Sequence, residues 1–173
     1  GYAKKKGTYV HESRGMINGY NVYDQSSEYT VHKPFETFTA GKYVVTALPA
    51  KHIPEENCFI YLVREGDKTL LYATDTGYFK RSVFDYFVKN GIKLDAMIVD
   101  STYGLVCSSD KAHMNFFDND ELRKELMSLG IIGEKTQCYL THIFHGAAKD
   151  LDLLEKAVPE GYTLLRDGYT FTI

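Results

Sequence analysis

The sequence predicts an α/β domain in which helices pack against a mixed β-sheet. Three observations predict it. The first half of the chain holds short β-branched, apolar runs separated by turn residues. After Gly77 the apolar spacing switches to a helical period, and strand-type and helix-type segments then alternate. The chain closes on two short apolar runs around Asp167-Gly168 that read as a terminal hairpin. Strands first and alternation second are the signature of a layered α/β arrangement.

In order, residues 1–18 form a polar opening segment that carries Lys4-Lys5-Lys6. Tyr20 to Tyr23 reads as a short strand, and Tyr29 to Phe38 holds a weaker one. Lys42 to Leu48 is a strand ended by Pro49. Cys58 to Val63 and Thr69 to Ala73 are strands joined by Glu65-Gly66-Asp67-Lys68, where glycine accepts the positive φ of a tight turn. Phe79, Val83, Phe84, Tyr86 and Phe87 share one face of a helix over 78–90, with Gly91 as its stop. Leu94 to Val99 is a buried-type strand. A loop containing His113 leads to a helix over 120–129, with Asp118 or Asn119 as N-cap and Gly130 as terminator. Gln137 to Leu140 is another buried strand. A helix over 148–158 stops at Pro159. Tyr162 to Leu165 and Tyr169 to Ile173 complete the expected strands.

Bulk composition narrows the function classes. The 173 residues are 44% hydrophobic with a net charge of −3, enough for one ordinary domain with a core. Lys and Arg are dispersed, so no large nucleic-acid footprint is expected. No apolar run approaches the roughly 20 residues a membrane helix needs. The basic, polar opening residues do not read as a signal peptide. Cys58, Cys107 and Cys138 lack metal-type spacing and are odd in number, which fits reduced thiols and a cytoplasmic location.

The chemistry gathers at strand ends. Tyr139-Leu140-Thr141-His142-Ile143-Phe144-His145-Gly146 places two histidines where a strand gives way to a loop, facing a crevice in an open α/β sheet. Imidazole is both a common zinc ligand and a proton carrier near neutral pH. His52 follows one strand, Asp75 another and His142 a third, while Asp100 ends a fourth. His52, Asp75 and His142 could converge on one metal site, with an aspartate between two ions as a bridge. The plainer readings are a strand-capping or solvated histidine and, for Asp75 and especially Asp100, an ordinary turn residue.

These residues fall in stretches that resemble the later motifs of the metallo-β-lactamase fold superfamily. The stretches are Leu48-Pro49-Ala50-Lys51-His52, Leu71-Tyr72-Ala73-Thr74-Asp75-Thr76-Gly77, Val99-Asp100-Ser101-Thr102, Ala112-His113-Met114-Asn115 and Leu140-Thr141-His142-Ile143-Phe144-His145. Pro159-Glu160-Gly161-Tyr162 through Asp167-Gly168-Tyr169 extends the resemblance, which runs in order over roughly residues 20–173. The branch most similar is that of the phosphodiesterases opening phosphoribosyl 1,2-cyclic phosphate. The resemblance implies an αββα sandwich and a single such domain over 1–173. It implies two divalent ions, zinc or manganese, with His52 on the first, Asp75 bridging and His142 on the second. It implies hydrolysis of a small, cyclic phosphodiester by a hydroxide held on the two ions. His113 and His145 match positions that face the substrate phosphate and move a proton.

The superfamily's His-x-His-x-Asp-His signature lies upstream of these motifs and is not found here; the six histidines are His11, His32, His52, His113, His142 and His145. The chain is therefore expected to match the C-terminal half to two-thirds of the sandwich, to bind metal weakly and to be inactive by itself. It is also expected to expose an apolar sheet face near residues 20–48, met by an N-terminal segment or by self-association. Other expectations stay open: a ribonuclease, a thioester or lactone hydrolase, or a metal-free binding or scaffold domain.

Overall fold

The computed structural model describes residues 16–17, 20–21, 30–147 and 151–173. The chain divides into two units, 1–33 and 34–173. In the first, β1 (Met16–Ile17) pairs antiparallel with β2 (Tyr20–Asn21). Of the expected opening strand, Tyr20 and Asn21 form β2, and its remaining residues lie outside those described.

The second unit holds one seven-stranded sheet. Its strands are β3 (Thr37–Ala40), β4 (Tyr43–Pro49), β5 (Phe59–Glu65), β6 (Lys68–Ala73), β7 (Ala96–Asp100), β8 (Gln137–Thr141) and β9 (Thr163–Leu164). They lie side by side in that order. The meander β3–β6 is antiparallel, as short turns dictate; Gly66 takes φ +60° in the β5–β6 turn. From β6 to β9 the pairing is parallel, because α1 (Arg81–Lys89), α2 (Phe116–Ser128) and α3 (Leu151–Ala157) are inserted between successive strands. The mixed sheet expected from the alternation is present.

Side-chain alternation divides the sheet into two faces. Leu48, Ile60, Leu62, Leu71, Met97, Val99 and Leu140 point to one face. There they form a single core with Val83, Phe84 and Phe87 of α1, Phe116, Leu122 and Leu126 of α2, and Leu154 of α3. Among the described residues of this unit, one helical layer covers one side of the seven-stranded sheet. On the other side the cross-strand partners Tyr61 and Tyr72 are exposed, as is Tyr43.

Three elements depart from the sequence expectation. The α2 helix begins at Phe116, with Asn115 as N-cap: its side chain accepts from the Asp118 amide, and the Asp118 carboxylate accepts from the Asn115 amide. Asn119 is fully buried within the helix rather than capping it. Tyr169–Ile173 is not a strand. Tyr169 and Phe171 lay their rings on Tyr139, and the Thr172 carbonyl accepts from the Gln137 side chain, so aromatic packing replaces a backbone ladder. The expected closing hairpin is instead a two-residue parallel strand, β9, on the edge of β8.

The three cysteines are free thiols. Burial pushes the Cys138 thiol up to about 11, whereas Cys107 is exposed. A thiol-reactive probe at neutral pH should modify Cys107 and spare Cys138 until the chain unfolds. Above the free thiol's pKa of about 8.5, the unfolded chain ionises Cys138 while the folded chain keeps it protonated, so stability should fall from there up to about pH 11. Buried Tyr162 acts in the same direction, its hydroxyl also pushed up by desolvation. Native-state labelling of Cys138 at the rate of Cys107 would contradict this.

Candidate metal centre

The sheet topology selects the place where polar groups collect. Two antiparallel steps separate β4 from β6, so β4, β6, β7 and β8 all run in one direction. Their carboxyl ends therefore share one sheet edge. His52 lies three residues past β4, Asp75 two past β6, Asp100 ends β7 and His142 follows β8 at once. The β4 and β6 loops are tied together: the Gly77 amide donates to the Lys51 carbonyl at 2.8 Å, and the Lys51 amide donates to Thr76 Oγ1 at 3.0 Å.

Asp75 Oδ1 stands 3.4 Å from His142 Nε2 and 4.0 Å from His52 Nε2. Ligand-type atoms of Asp75, Asp100, His113 and His142 lie within 4.8 Å of one another. The His113 ring stacks on His142 with centroids 5.6 Å apart, and meets His52 edge-on at 4.8 Å. The structure thus brings His52, Asp75, His142 and His113 together. His145 is exposed on the turn that follows Ile143, outside the group of ligand-type atoms that lie within 4.8 Å of one another.

Asp75 and His142 have positive φ, +51° and +67°. Left-handed backbone costs a residue with a Cβ about 1–2 kcal/mol, although Asp and His adopt it more often than most. Such strain persists where surrounding structure imposes it, and it concentrates at functional sites. Here it falls on two adjacent residues whose side chains face each other.

Beneath them lies a buried polar layer. Asp100 is fully buried, yet it reads in sequence as a turn residue. Its Oδ1 accepts from the Thr102 amide, the Thr102 hydroxyl and the Met114 amide. Its Oδ2 accepts from His113 Nδ1 at 2.9 Å and lies 3.4 Å from His142 Nδ1. With protein donors on both oxygens, Asp100 is a support for the histidines more than a free ligand. Thr102 Oγ1 also lies 2.8 Å from His142 Nδ1 and 3.0 Å from His113 Nδ1. Sequence reasoning missed both supports. The signal was an Asp-x-Thr that begins on the last residue of an all-buried strand, where a carboxylate can stay only if it is fully hydrogen-bonded.

The loop from 103 to 115 completes the site. Its Ala112 carbonyl lies 3.4 Å from His52 Nδ1. Asp110 is clamped by the Tyr103 hydroxyl at 2.7 Å and the Ala112 amide at 2.8 Å, donors that hold its carboxyl below the usual carboxylate range. The Lys111 carbonyl rests directly on Gly77, where a Cβ would lie well inside contact distance.

No family model and no curated protein matches the sequence. Among solved structures, the chain is similar to the metallo-beta-lactamase fold protein YhfI from Bacillus subtilis, with a TM-score of 0.61 and 23% identity. The alignment covers 86% of this chain and 57% of that one. The chain has the metallo-β-lactamase fold. The same fold relates it to a possible metal-dependent hydrolase from Veillonella parvula, with a TM-score of 0.56, 14% identity, and 84% of this chain against 60% of that one covered. It also relates it to an isothiocyanate hydrolase from Delia radicum gut bacteria, with a TM-score of 0.56, 12% identity, and 82% against 58% covered. The chain spans somewhat more than half the length of each of these proteins. No helix among the described residues is long and apolar enough to cross a membrane.

The donor set fits a divalent metal. Two imidazole nitrogens and a carboxylate oxygen converge, and the other nitrogen of each imidazole faces a hydrogen-bonding partner. This is the outer-layer arrangement that orients histidine ligands.

Proposed function

We propose that this chain carries the metal-binding and proton-transfer residues of a metal-dependent hydrolase that acts on a small phosphodiester. The observation that supports it most is the convergence of His52, Asp75 and His142, two of them on left-handed backbone, above the buried Asp100. His52, Asp75 and His142 would hold divalent zinc or manganese, Asp75 as the ligand shared between two ions. A bound divalent ion supplies a Lewis acid and lowers the pKa of water to about 7.

The protein's own part in proton transfer falls to His113. Its Nδ1 is held by Asp100 Oδ2 at 2.9 Å, so the proton it can give or take is the one on Nε2. When the ring carries two protons, the buried Asp100 carboxylate beside it offsets the charge. The Tyr103 ring, edge-on at 5.9 Å, keeps the imidazole from turning. His113 is thereby suited to protonate a departing alkoxide, a role typically worth about 10²–10⁴-fold. His145, exposed on the turn after Ile143, is the second candidate for this proton transfer and for contact with the substrate phosphate.

In the catalytically competent form, His113→Ala should slow hydrolysis of an alkyl phosphodiester by about 10²–10⁴-fold. It should largely spare a nitrophenyl ester, whose leaving group needs no proton, and leave metal content unchanged. Equal loss on both esters, or loss of metal, would remove His113 from this role. Turnover of a thioester or lactone in place of the phosphodiester would move the substrate class. Absence of any zinc or manganese binding would favour a scaffold domain.

A further inference from the structure

The Thr102 hydroxyl touches two of the three site histidines, His113 and His142, together with their buried carboxylate. It lies 2.9 Å from Asp100 Oδ1, 2.8 Å from His142 Nδ1 and 3.0 Å from His113 Nδ1. A hydroxyl has one proton to donate and two lone pairs with which to accept. Asp100 Oδ1 already accepts from two backbone amides and so faces the hydroxyl as an acceptor, and the Thr102 proton goes to it. The lone pairs then remain for the imidazoles, and an imidazole nitrogen facing a lone pair must carry hydrogen.

The geometry points to Thr102 as a positioning residue that, together with Asp100, holds His142 and His113 as their Nδ1–H tautomers and leaves both Nε2 atoms bare. The two rings depend on it unequally. His113 Nδ1 has Asp100 Oδ2 at 2.9 Å as an alternative acceptor, whereas His142 Nδ1 has that oxygen only at 3.4 Å. Thr102 is therefore the principal anchor of His142, whose Nε2 faces Asp75. The buried backbone at Thr102 is fixed independently: its amide donates to Asp100 Oδ1, and its carbonyl accepts from the Phe144 amide. A change at Oγ1 alone should leave the chain path intact.

The metal-binding consequence rests on the hydrolase reading given above; the tautomers do not. The test is a long-range proton–nitrogen NMR correlation of the histidine rings, recorded on the metal-free full chain at mildly alkaline pH, for wild type, Thr102→Ser and Thr102→Val. Zn²⁺ affinity is then measured for each by competition with a chromophoric chelator. Wild type and Thr102→Ser should show Nδ1–H at His142 and His113. Thr102→Val should release His142 to the Nε2–H form or a mixture, keep His113 as Nδ1–H, and bind Zn²⁺ about 10–100-fold more weakly, as removal of a ligand's outer partner does. An Nε2–H His142 in the wild type overturns the assignment even if the valine variant fails to fold. So does a Thr102→Val protein with wild-type tautomers and wild-type Zn²⁺ affinity. Both readouts stand if no ester proves to be a substrate, so failure of the hydrolase reading is told apart from failure of this one.

Discussion

Replacing Asp75 by glycine should abolish divalent-metal binding and at the same time make the metal-free protein more stable. The side chain is exposed and its nearest partners are the histidines at 3.4 and 4.0 Å, so little native contact is lost. What is removed is a Cβ held at φ +51°. Glycine adopts that conformation freely, and relief of the strain is worth about 1 kcal/mol. In a unit of this size that corresponds to roughly 3 °C in Tm. Asp75→Ala should lose the metal equally but gain no stability, because alanine keeps the Cβ. Asp75→Asn should melt near wild type, since asparagine tolerates left-handed backbone, and still bind metal poorly. Thermal melts in chelator and Zn²⁺ titration of the three variants decide the matter. A glycine variant that melts below the alanine variant would sink the strain argument; one that keeps its metal would remove Asp75 as a ligand.

The second large effect is expected at Gly77, which has no ionisable group. An alanine there would drive its methyl into the Lys111 carbonyl, a backbone atom that cannot rotate aside. Overpacking of this kind costs about 1–3 kcal/mol, and Gly77→Ala should lie at the upper end. Yielding means moving the loop that carries the Ala112 carbonyl and His113, so Zn²⁺ affinity should fall together with stability. Amide exchange in residues 110–114 should accelerate more than in β7 or β8. Gly133→Ala, which meets no atom within 4 Å, is the matched control and should be nearly silent. A Gly77→Ala protein with an unchanged denaturation midpoint and metal affinity would show that the loop is not seated where it is described.

Much of this architecture could be read from periodicity. The apolar runs at β4 to β8 announce strands, and the clustered aromatics of α1 announce one helical face. Their order predicts the antiparallel-to-parallel change, since short turns and helical crossovers permit nothing else. The strand-end positions of His52, Asp75 and His142 were legible for the same reason. The start of α2 was not, because Asn115 precedes two phenylalanines that look like the end of a loop, while the actual cap depends on a reciprocal bond with Asp118. Tyr169 to Ile173 alternates like a strand, but the alternation serves ring contacts with Tyr139. Asp100 and Thr102 were obscured because a carboxylate and a hydroxyl after a strand usually mean a turn. Only the three-dimensional packing of the 103–115 loop shows them to be buried. The left-handed backbone of Asp75 and His142 has no sequence signature, since neither residue is glycine.

The parallel half of the sheet also sets a sequence of events. The β4–β5–β6 meander closes through local contacts, so His52 and Asp75 can approach each other early. Asp100 arrives only once the α1 crossover has delivered β7, and His142 only after the α2 crossover has delivered β8. Non-local pairings of this type form slowly because their loops must close first. A half-folded chain thus offers an ion two side chains on mobile loops and no third. An ion held by these residues would therefore not nucleate the fold; it would bind the finished state and stabilise it by mass action, without hastening collapse.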